Sequence, residues 1–571
     1  MPMEKNWKIK EQGNPAVIEH LSQVLGINKV LANLLTQRGI TTFDEAKSFF
    51  RPDLAHLHDP FLMKDMDKAI DRIEKALSKK EKILVYGDYD VDGTTAVALV
   101  YSYLTRFSSN VDFYIPDRYL EGYGVSYKGI DYAGDNGFSL IISLDCGIKA
   151  VEKVAYAKKQ NIDFIVCDHH YPGDTIPDAV AVLDPKRTDC SYPFKELSGC
   201  GVGFKLVQAY SQKNNIPFEE LESFLDLVAV SIASDIVPIV GENRVLAYFG
   251  LKRLSESPRN GLKSVIKTAG IENKEITVDD IVFKIGPRIN AAGRIESGNN
   301  AVELLIAEDE TYAISMSDKI NAFNNTRKSI DTNITMEAMK EVANSPEMKG
   351  RYSTVLYNPS WHKGVIGIVA SRLIESYYRP TVILTESNGL ATGSARSVDG
   401  FDLYQAIDAC SDLLENFGGH MFAAGVTLKP ENVPAFKARF EEYVSKNIKK
   451  DQLLPSIEID GQLELCDITP KFYRVLKQFQ PFGPENMSPV FLTKNVVDNG
   501  CGRVVGNTNE HLKLELIQEA EPFRVYPAIG FQMAQHFKIV NKGNAFDVCY
   551  SIEENEFRGI TTLQIRIKDI K

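Results

Sequence analysis

Lys82-Ile-Leu-Val-Tyr-Gly-Asp-Tyr-Asp-Val-Asp-Gly-Thr-Thr95 is an apolar run that breaks at a glycine into three carboxylates spaced two apart. Ile83 to Tyr86 has the length and residue types of a buried strand. Gly93 allows a tight turn into Thr94 to Tyr103, an Ala/Leu/Val-rich segment expected to be helical. In a parallel α/β sheet, ligands bind at the carboxyl ends of strands, where Asp88, Asp90 and Asp92 fall. Like charges this close repel, so they are costly unless a cation holds them together. A solvated turn with Asx hydrogen bonds is the plain alternative. A calcium loop is excluded, because the twelfth position from Asp88 is Leu99 rather than a bidentate glutamate.

The remainder of the chain bounds the class. A length of 571 residues predicts roughly three or four domains, each able to bury a core. Hydrophobic content of 44% and charged content of 25% are ordinary for a globular protein. The eight cysteines form no C-x-x-C pair, which points to reduced thiols rather than a disulfide framework or a structural zinc. The polar start, MPMEKNWKIKEQG, carries no apolar signal segment, and no apolar run reaches membrane-spanning length. A cytoplasmic protein without membrane attachment is expected. The net charge of −11 argues against a global basic coat for nucleic acid, though not against a local basic channel.

Residues 1–79 show apolar residues at helical spacing over Pro15–Leu25, Asn28–Arg38, Thr42–Phe50 and Met63–Leu77, and are expected to cap the first domain. Residues 80–300 alternate strand-like and helix-like segments, the pattern of a parallel sheet. Val111–Ile115 ends at Pro116-Asp117-Arg118, Leu140–Leu144 ends at Asp145, and Phe164–Cys167 ends at Asp168-His169-His170. One such ending is common by chance; several in one sheet converge on a site. Carboxylates with imidazoles suit Mn²⁺ or Mg²⁺ better than zinc or copper. Asp235, after the long apolar segment Leu221–Ala233, is a further candidate.

GDYDVDG, SLDCG, CDHH and SDIVP, in this order and spacing, resemble the four motifs of the DHH phosphoesterase superfamily. GPRINAAGRI (286–295), WHKGVIGIVASRL (361–373), GSARS (393–397) and FGGHMFAAG (417–425) extend the resemblance to its single-strand-specific 5′→3′ exonuclease branch. PFGPENMSP (481–489) departs from that branch's usual PFGxGNPxP at Glu485 and Met487, in a loop expected away from the metal site. The resemblance implies an α/β parallel-sheet DHH domain over 80–300 and a smaller α/β DHHA1 domain over 349–450. The segment 301–348, free of Gly and Pro from Ala301 to Ser345, is the helical connector between them. Residues 451–571 alternate short strands and turns and are expected to form an OB-fold β-barrel, a fold that commonly binds single strands.

The constellation then implies two-metal phosphodiester hydrolysis with Mn²⁺ or Mg²⁺, two ions per site. By resemblance Asp145 bridges the ions, Asp90 lies on one side, and Asp92, His169 and Asp235 lie on the other. Asp88 is either a direct ligand or an outer acceptor. His170 is placed to contact the scissile phosphate or assist proton transfer, and Asp168 to orient the histidine pair. Arg288 and Arg294, flanking Asn290 and small residues, are expected phosphate contacts. Gly418, Gly419 and His420 offer exposed N–H groups beside an imidazole, with a plain turn as the alternative. Arg118, Ser394 and Arg396 resemble the pocket that grips a terminal 5′-phosphate. Single-stranded DNA is the expected substrate, released as 5′-mononucleotides by a monomer. Single-strand binding protein and a repair helicase are the expected protein partners. Relatives that cleave short oligonucleotides or cyclic dinucleotides share the acids but are mostly shorter. Non-catalytic DNA-binding scaffolds have lost motif acids that are all present here.

Overall fold

The computed structural model describes residues 4–519, 523–541, 543–557 and 559–571. It divides into two compact units, the first comprising Arg51–Lys328 with the short segment Gln480–Met487. At its centre is a five-stranded sheet in the order Val111–Tyr114, Lys82–Gly87, Phe138–Leu144, Asp163–Cys167, Ala181–Leu183. Every neighbouring pair is parallel. The strands are near-continuous apolar runs because helices cover both faces. Ile83, Leu84, Val85, Leu140, Ile142 and Ile165 are all fully buried.

The register fixes the site. Gly87 pairs with Leu144, Leu144 with Cys167, and Cys167 with Leu183. The next residue on each strand is therefore an aspartate in one row: Asp88, Asp145, Asp168 and Asp184. Asp184 ends the short strand Ala181–Leu183, which the sequence reading did not anticipate. The first crossover helix begins at Val91 rather than Thr94, with Asp90 as its N-cap. Asp92 thus lies in the first helical turn. The apolar stretch before Asp235 is the helix Leu225–Ser234, whose residues Leu225 to Ala233 are all buried.

The other unit holds the chain up to Phe50, Ser329–Phe479 and Ser488 onward. One sheet runs in the order Leu414–Gly419, Ala423–Leu428, Leu390–Arg396, Thr381–Ser387, Thr354–Tyr357. The glycine-rich motif FGGHMFAAG is a strand pair, so Gly418 and Gly419 belong to a strand and not to a plain turn. A second sheet is a barrel: Phe491–Asp498 pairs with Phe546–Phe557 on one side and with His511–Ile517 on the other. Ile560–Ile570 and Tyr526–Gly530 complete that ring. The region opens with two short strands, Ser456–Ile459 and Gly461–Gln462, ahead of Phe491–Asp498. The connector is a short helix, Asn299–Leu305, and a 35-residue helix, Glu310–Asn344, within which the division between units falls.

The segment expected as one cap over 1–79 is shared. Residues up to Phe50 group with the second unit, and Arg51 onward with the first. Asn6–Ile9 forms a parallel strand pair with Ser456–Ile459, and the Trp7 indole donates to Asp569 at 2.8 Å.

Candidate active site

The four row aspartates meet two histidines and three further acids at the carboxyl edge of the parallel sheet. His169 Nε2 lies 3.2 Å from Asp145 Oδ1, 3.5 Å from Asp235 Oδ2 and 3.6 Å from Asp92 Oδ2. Two groups offer ligand atoms mutually within 4.8 Å: Asp92, His169 and Asp235, and Asp145, His169 and His170. Asp90 lies close enough to Asp145 for its charge to raise that carboxyl.

Local backbone explains each placement. Asp145 sits at φ +59°, a left-handed conformation rare for a residue with a side chain, at the point where the strand ends. Gly199 packs on it so closely that a Cβ there would lie 2.6 Å from the Asp145 Cβ. The same glycine donates its N–H to Asp92 Oδ2 at 2.6 Å, and Cys200 N–H reaches Asp92 Oδ1 at 2.8 Å. Asp92 therefore rests on the N-terminus of the helix Gly199–Lys213, where orphan amides favour an anion. Ser231 adds a hydroxyl at 2.6 Å. Asp88 lies in neither ligand group; its oxygens accept from Tyr89 N–H at 2.6 Å and Gly124 N–H at 3.2 Å.

Electrostatics follow from this crowding. Burial, then the charges of Asp92 and Asp90, raise the Asp145 carboxyl well above the usual range. Burial and Asp92 push Asp235 up to about 8. Burial lowers His169, opposed by Asp92. Burial acts against ionisation of Asp168, but the hydrogen bond from His170 Nδ1 at 2.8 Å outweighs it and holds Asp168 at about 2. Asp168 Oδ1 also accepts from the His169 and His170 amides, and Oδ2 from Ile148 N–H. Asp184, unforeseen by sequence, is raised by burial to about 7.

These residues fit a hard divalent cation. Asp145 Oδ2 and both ring nitrogens of His169 are buried with no hydrogen-bond partner among the described residues. Buried polar atoms are usually paired, and a cation at this edge would take Asp145 Oδ2 and one of the two His169 ring nitrogens.

The expected substrate contacts fall in two places. In the first unit, Arg118 lies 4.0 Å over the Tyr89 ring, and its Nε donates to Gly293 O at 3.1 Å. Gly293 and Gly298 sit against Tyr89, packing the helix Gly286–Ile295 beside the aspartate turn. Asn290 Oδ1 on that helix is buried without a partner among the described residues. Arg294 lies near Tyr89 and Tyr119, whereas Arg288 is engaged by Lys284 O at 2.6 Å and Asn321 at 3.2 Å. In the second unit, Arg396 donates to Ser394 Oγ at 2.8 Å, and Ser394 and Gly418 both pair with Gly425. A Cβ at Gly418 or Gly425 would meet nothing within 4 Å, so this glycine row leaves open backbone beside Ser394. His420 is exposed.

Three family models match in succession: the DHH family N-terminal domain over residues 82–232, the DHHA1 domain over 347–446 and the RecJ OB domain over 459–569. The fold and the acid rim thus define a metal-dependent phosphoesterase of the DHH class. The single-stranded-DNA-specific exonuclease RecJ of Bacillus subtilis is 38% identical over 567 residues, covering 99% of this chain and 70% of the relative. RecJ of Escherichia coli is 31% identical over 564 residues, covering 95% of each. The crystal structure of Thermus thermophilus RecJ in complex with Mn²⁺ superposes with a TM-score of 0.84 at 26% identity, covering all of this chain and 80% of that one. The chain belongs to the RecJ family.

Proposed function

We propose that this protein is a single-stranded-DNA-specific exonuclease, hydrolysing phosphodiesters from the 5′ end to 5′-mononucleotides in DNA recombination and repair. The observation that carries the reading is the meeting of Asp92, Asp145, Asp235 and His169 at one strand edge with unsatisfied buried ligand atoms. These four, with Asp90, would hold Mn²⁺ or Mg²⁺, which would supply Lewis acidity and charge neutralisation at the phosphoryl group. Asp88 acts on the backbone, tying the strand–helix turn through Tyr89 and Gly124. Asp168 fixes His170 through Nδ1, which leaves Nε2 to face a phosphate oxygen or the departing 3′-oxygen. Arg118, Asn290 and Arg294 contact the strand beside the rim, and Arg396 with Ser394 holds a terminal phosphate. A gripped 5′ end sets the polarity.

The barrel supplies a second footing. Arg503 pairs with Lys513, Lys513 with Ile529, and Ile529 with Arg566, so three cations stand in one outward row across four strands. Phe531, 49% exposed, lies beside the row with His511 at 5.1 Å and Arg566 at 5.3 Å from its ring. Cations in register with an exposed aromatic ring suit a phosphate backbone with stacked bases. We further propose a cytoplasmic monomer that works with single-strand binding protein and a repair helicase.

The test is product analysis on end-labelled strands with Mn²⁺ and with Mg²⁺. Mononucleotides appearing from the 5′ end of a single strand, and none from a blunt duplex, are expected. Equal attack on both ends, or on a dinucleotide alone, would overturn the reading.

A further inference from the structure

We propose that the loop Gln480–Met487 positions Asp235 and thereby sets the cation affinity of the acid rim; the inference rests on reading that rim as a cation site. The loop groups with the catalytic unit although the chain on both sides of it belongs to the other.

Asp235 is less buried than Asp92 or Asp145, so fewer neighbours hold it. Its side chain is 30% exposed, against 1% for Asp92 and 2% for Asp145. On its N-terminal side the helix holds it, through Asp235 N–H to Ser231 O at 2.9 Å. On its C-terminal side the chain leaves through Ile236 at φ +59°, itself 65% exposed. Beyond that turn Val237 is buried and Pro238 O is held by Asn243, and the loop then fixes Ile239. Ile239 N–H donates to Pro484 O at 2.9 Å. Its fully buried side chain presses on Gly483, where a Cβ would come 2.3 Å from Ile239 Cδ1.

The loop is built to hold that position. Asn486 is fully buried; its Nδ2 donates to Pro481 O at 2.8 Å, and its backbone exchanges hydrogen bonds with Gly483 at 2.9 and 3.1 Å. Arg244 grips Gln480 O at 2.8 Å, and its neighbour Asn243 donates to Pro238 O at 3.0 Å. One helical turn therefore ties down both the loop and the segment leaving Asp235. The loop thus contacts Ile239, four residues along the chain from a ligand candidate. Groups hydrogen-bonded to a ligand typically carry a 10- to 100-fold share of metal affinity, and a support acting through the chain at Ile239 should fall at the low end.

The experiment is calorimetric titration of the full chain with Mn²⁺, as wild type, Asn486→Ala, Asp235→Asn and the double variant. Asn486→Ala is expected to weaken Mn²⁺ binding about tenfold, and to add little once Asp235 is already Asn. It should lower kcat while leaving KM for a long strand unchanged. Asn486→Asp, nearly isosteric but without the Nδ2 donor, asks the same question should the alanine variant fold poorly. Glu485→Gly, which keeps every contact named here, should bind Mn²⁺ at least as tightly as wild type. Unchanged Mn²⁺ affinity in Asn486→Ala, or a weakening that persists in full beside Asp235→Asn, overturns the loop's role. A wild-type protein that binds no Mn²⁺ would instead sink the cation reading itself.

Discussion

The rim of the parallel sheet and the outer row of the barrel both present charge from strands, in opposite ways. At the rim the chemistry stands at strand ends, where one register step places Asp88, Asp145, Asp168 and Asp184 in line. On the barrel it stands across strand faces, where Arg503, Lys513 and Arg566 are each one residue of an outward-facing alternation. The rim gathers buried like charges that cannot relax into water, so each depends on its neighbours and on a cation. The row is solvated, so its members act nearly independently. Buried charge gives cooperative, all-or-none chemistry; exposed charge gives graded affinity.

Breaking the rim should have the largest effect. Asp145→Ala is expected to cut strand hydrolysis by more than about a thousandfold while strand binding persists, checked by single-turnover cleavage and by filter binding. Retained hydrolysis would dissolve the contrast between the two regions. The barrel row should respond in proportion: replacing Arg503, Lys513 and Arg566 together by Ala should lower the slope of log affinity against log salt by about 2, at about 0.7 per single-strand phosphate contact. Hydrolysis of a dinucleotide should be unaffected. An unchanged slope would show that the strand does not lie on this row.

The rim's dependence on a cation has a thermal signature. At a concentration of Mn²⁺ one hundred times its dissociation constant, the catalytic unit should gain about 2.7 kcal/mol, seen as a raised Tm. In metal-free protein near neutral pH, Asp145→Asn should raise Tm, since it removes the cost of folding a carboxyl whose folded value lies well above its unfolded one. A lowered Tm would count against electrostatic crowding. Asp280 offers a contrasting buried acid, because Lys274 at 2.6 Å and Lys284 at 2.9 Å flank it. Burial works against its ionisation, but the lysine and Thr277 hydrogen bonds win and hold it at about 2. A depressed folded value means stability present above about pH 4 and lost as pH falls towards 2. With both lysines largely solvated, the effect should be about 1 kcal/mol, read from acid denaturation of Asp280→Asn against wild type. The smallest change expected is a gain of about 1 kcal/mol for Glu485→Gly, because Glu485 holds φ +60°.

Several elements were legible in the sequence because their signals are local. The helix Pro15–Leu25 has the expected bounds, set by Asn14 as N-cap and Gly26 in the left-handed conformation. The strands ending at Gly87, Leu144 and Cys167 announced themselves as apolar runs halted by acids. The misses are either too short to carry a pattern or non-local. Asp184 follows a strand of only three residues, too short to register as a pattern. Gly199 and Cys200 support Asp92 through backbone amides, which carry no side-chain signature. The split of the first 79 residues between units depends on a strand partner 450 positions away.

By itself the sequence determined the chemistry available: which acids and imidazoles exist, in what order, and which strand ends deliver them. Period and residue type are properties of neighbours along the chain, so they can be read without coordinates. Only the tertiary structure decided which of those groups touch. Strand register, the helix N-terminus under Asp92 and the distant loop against Ile239 arise from packing between segments, whose energies no single stretch contains.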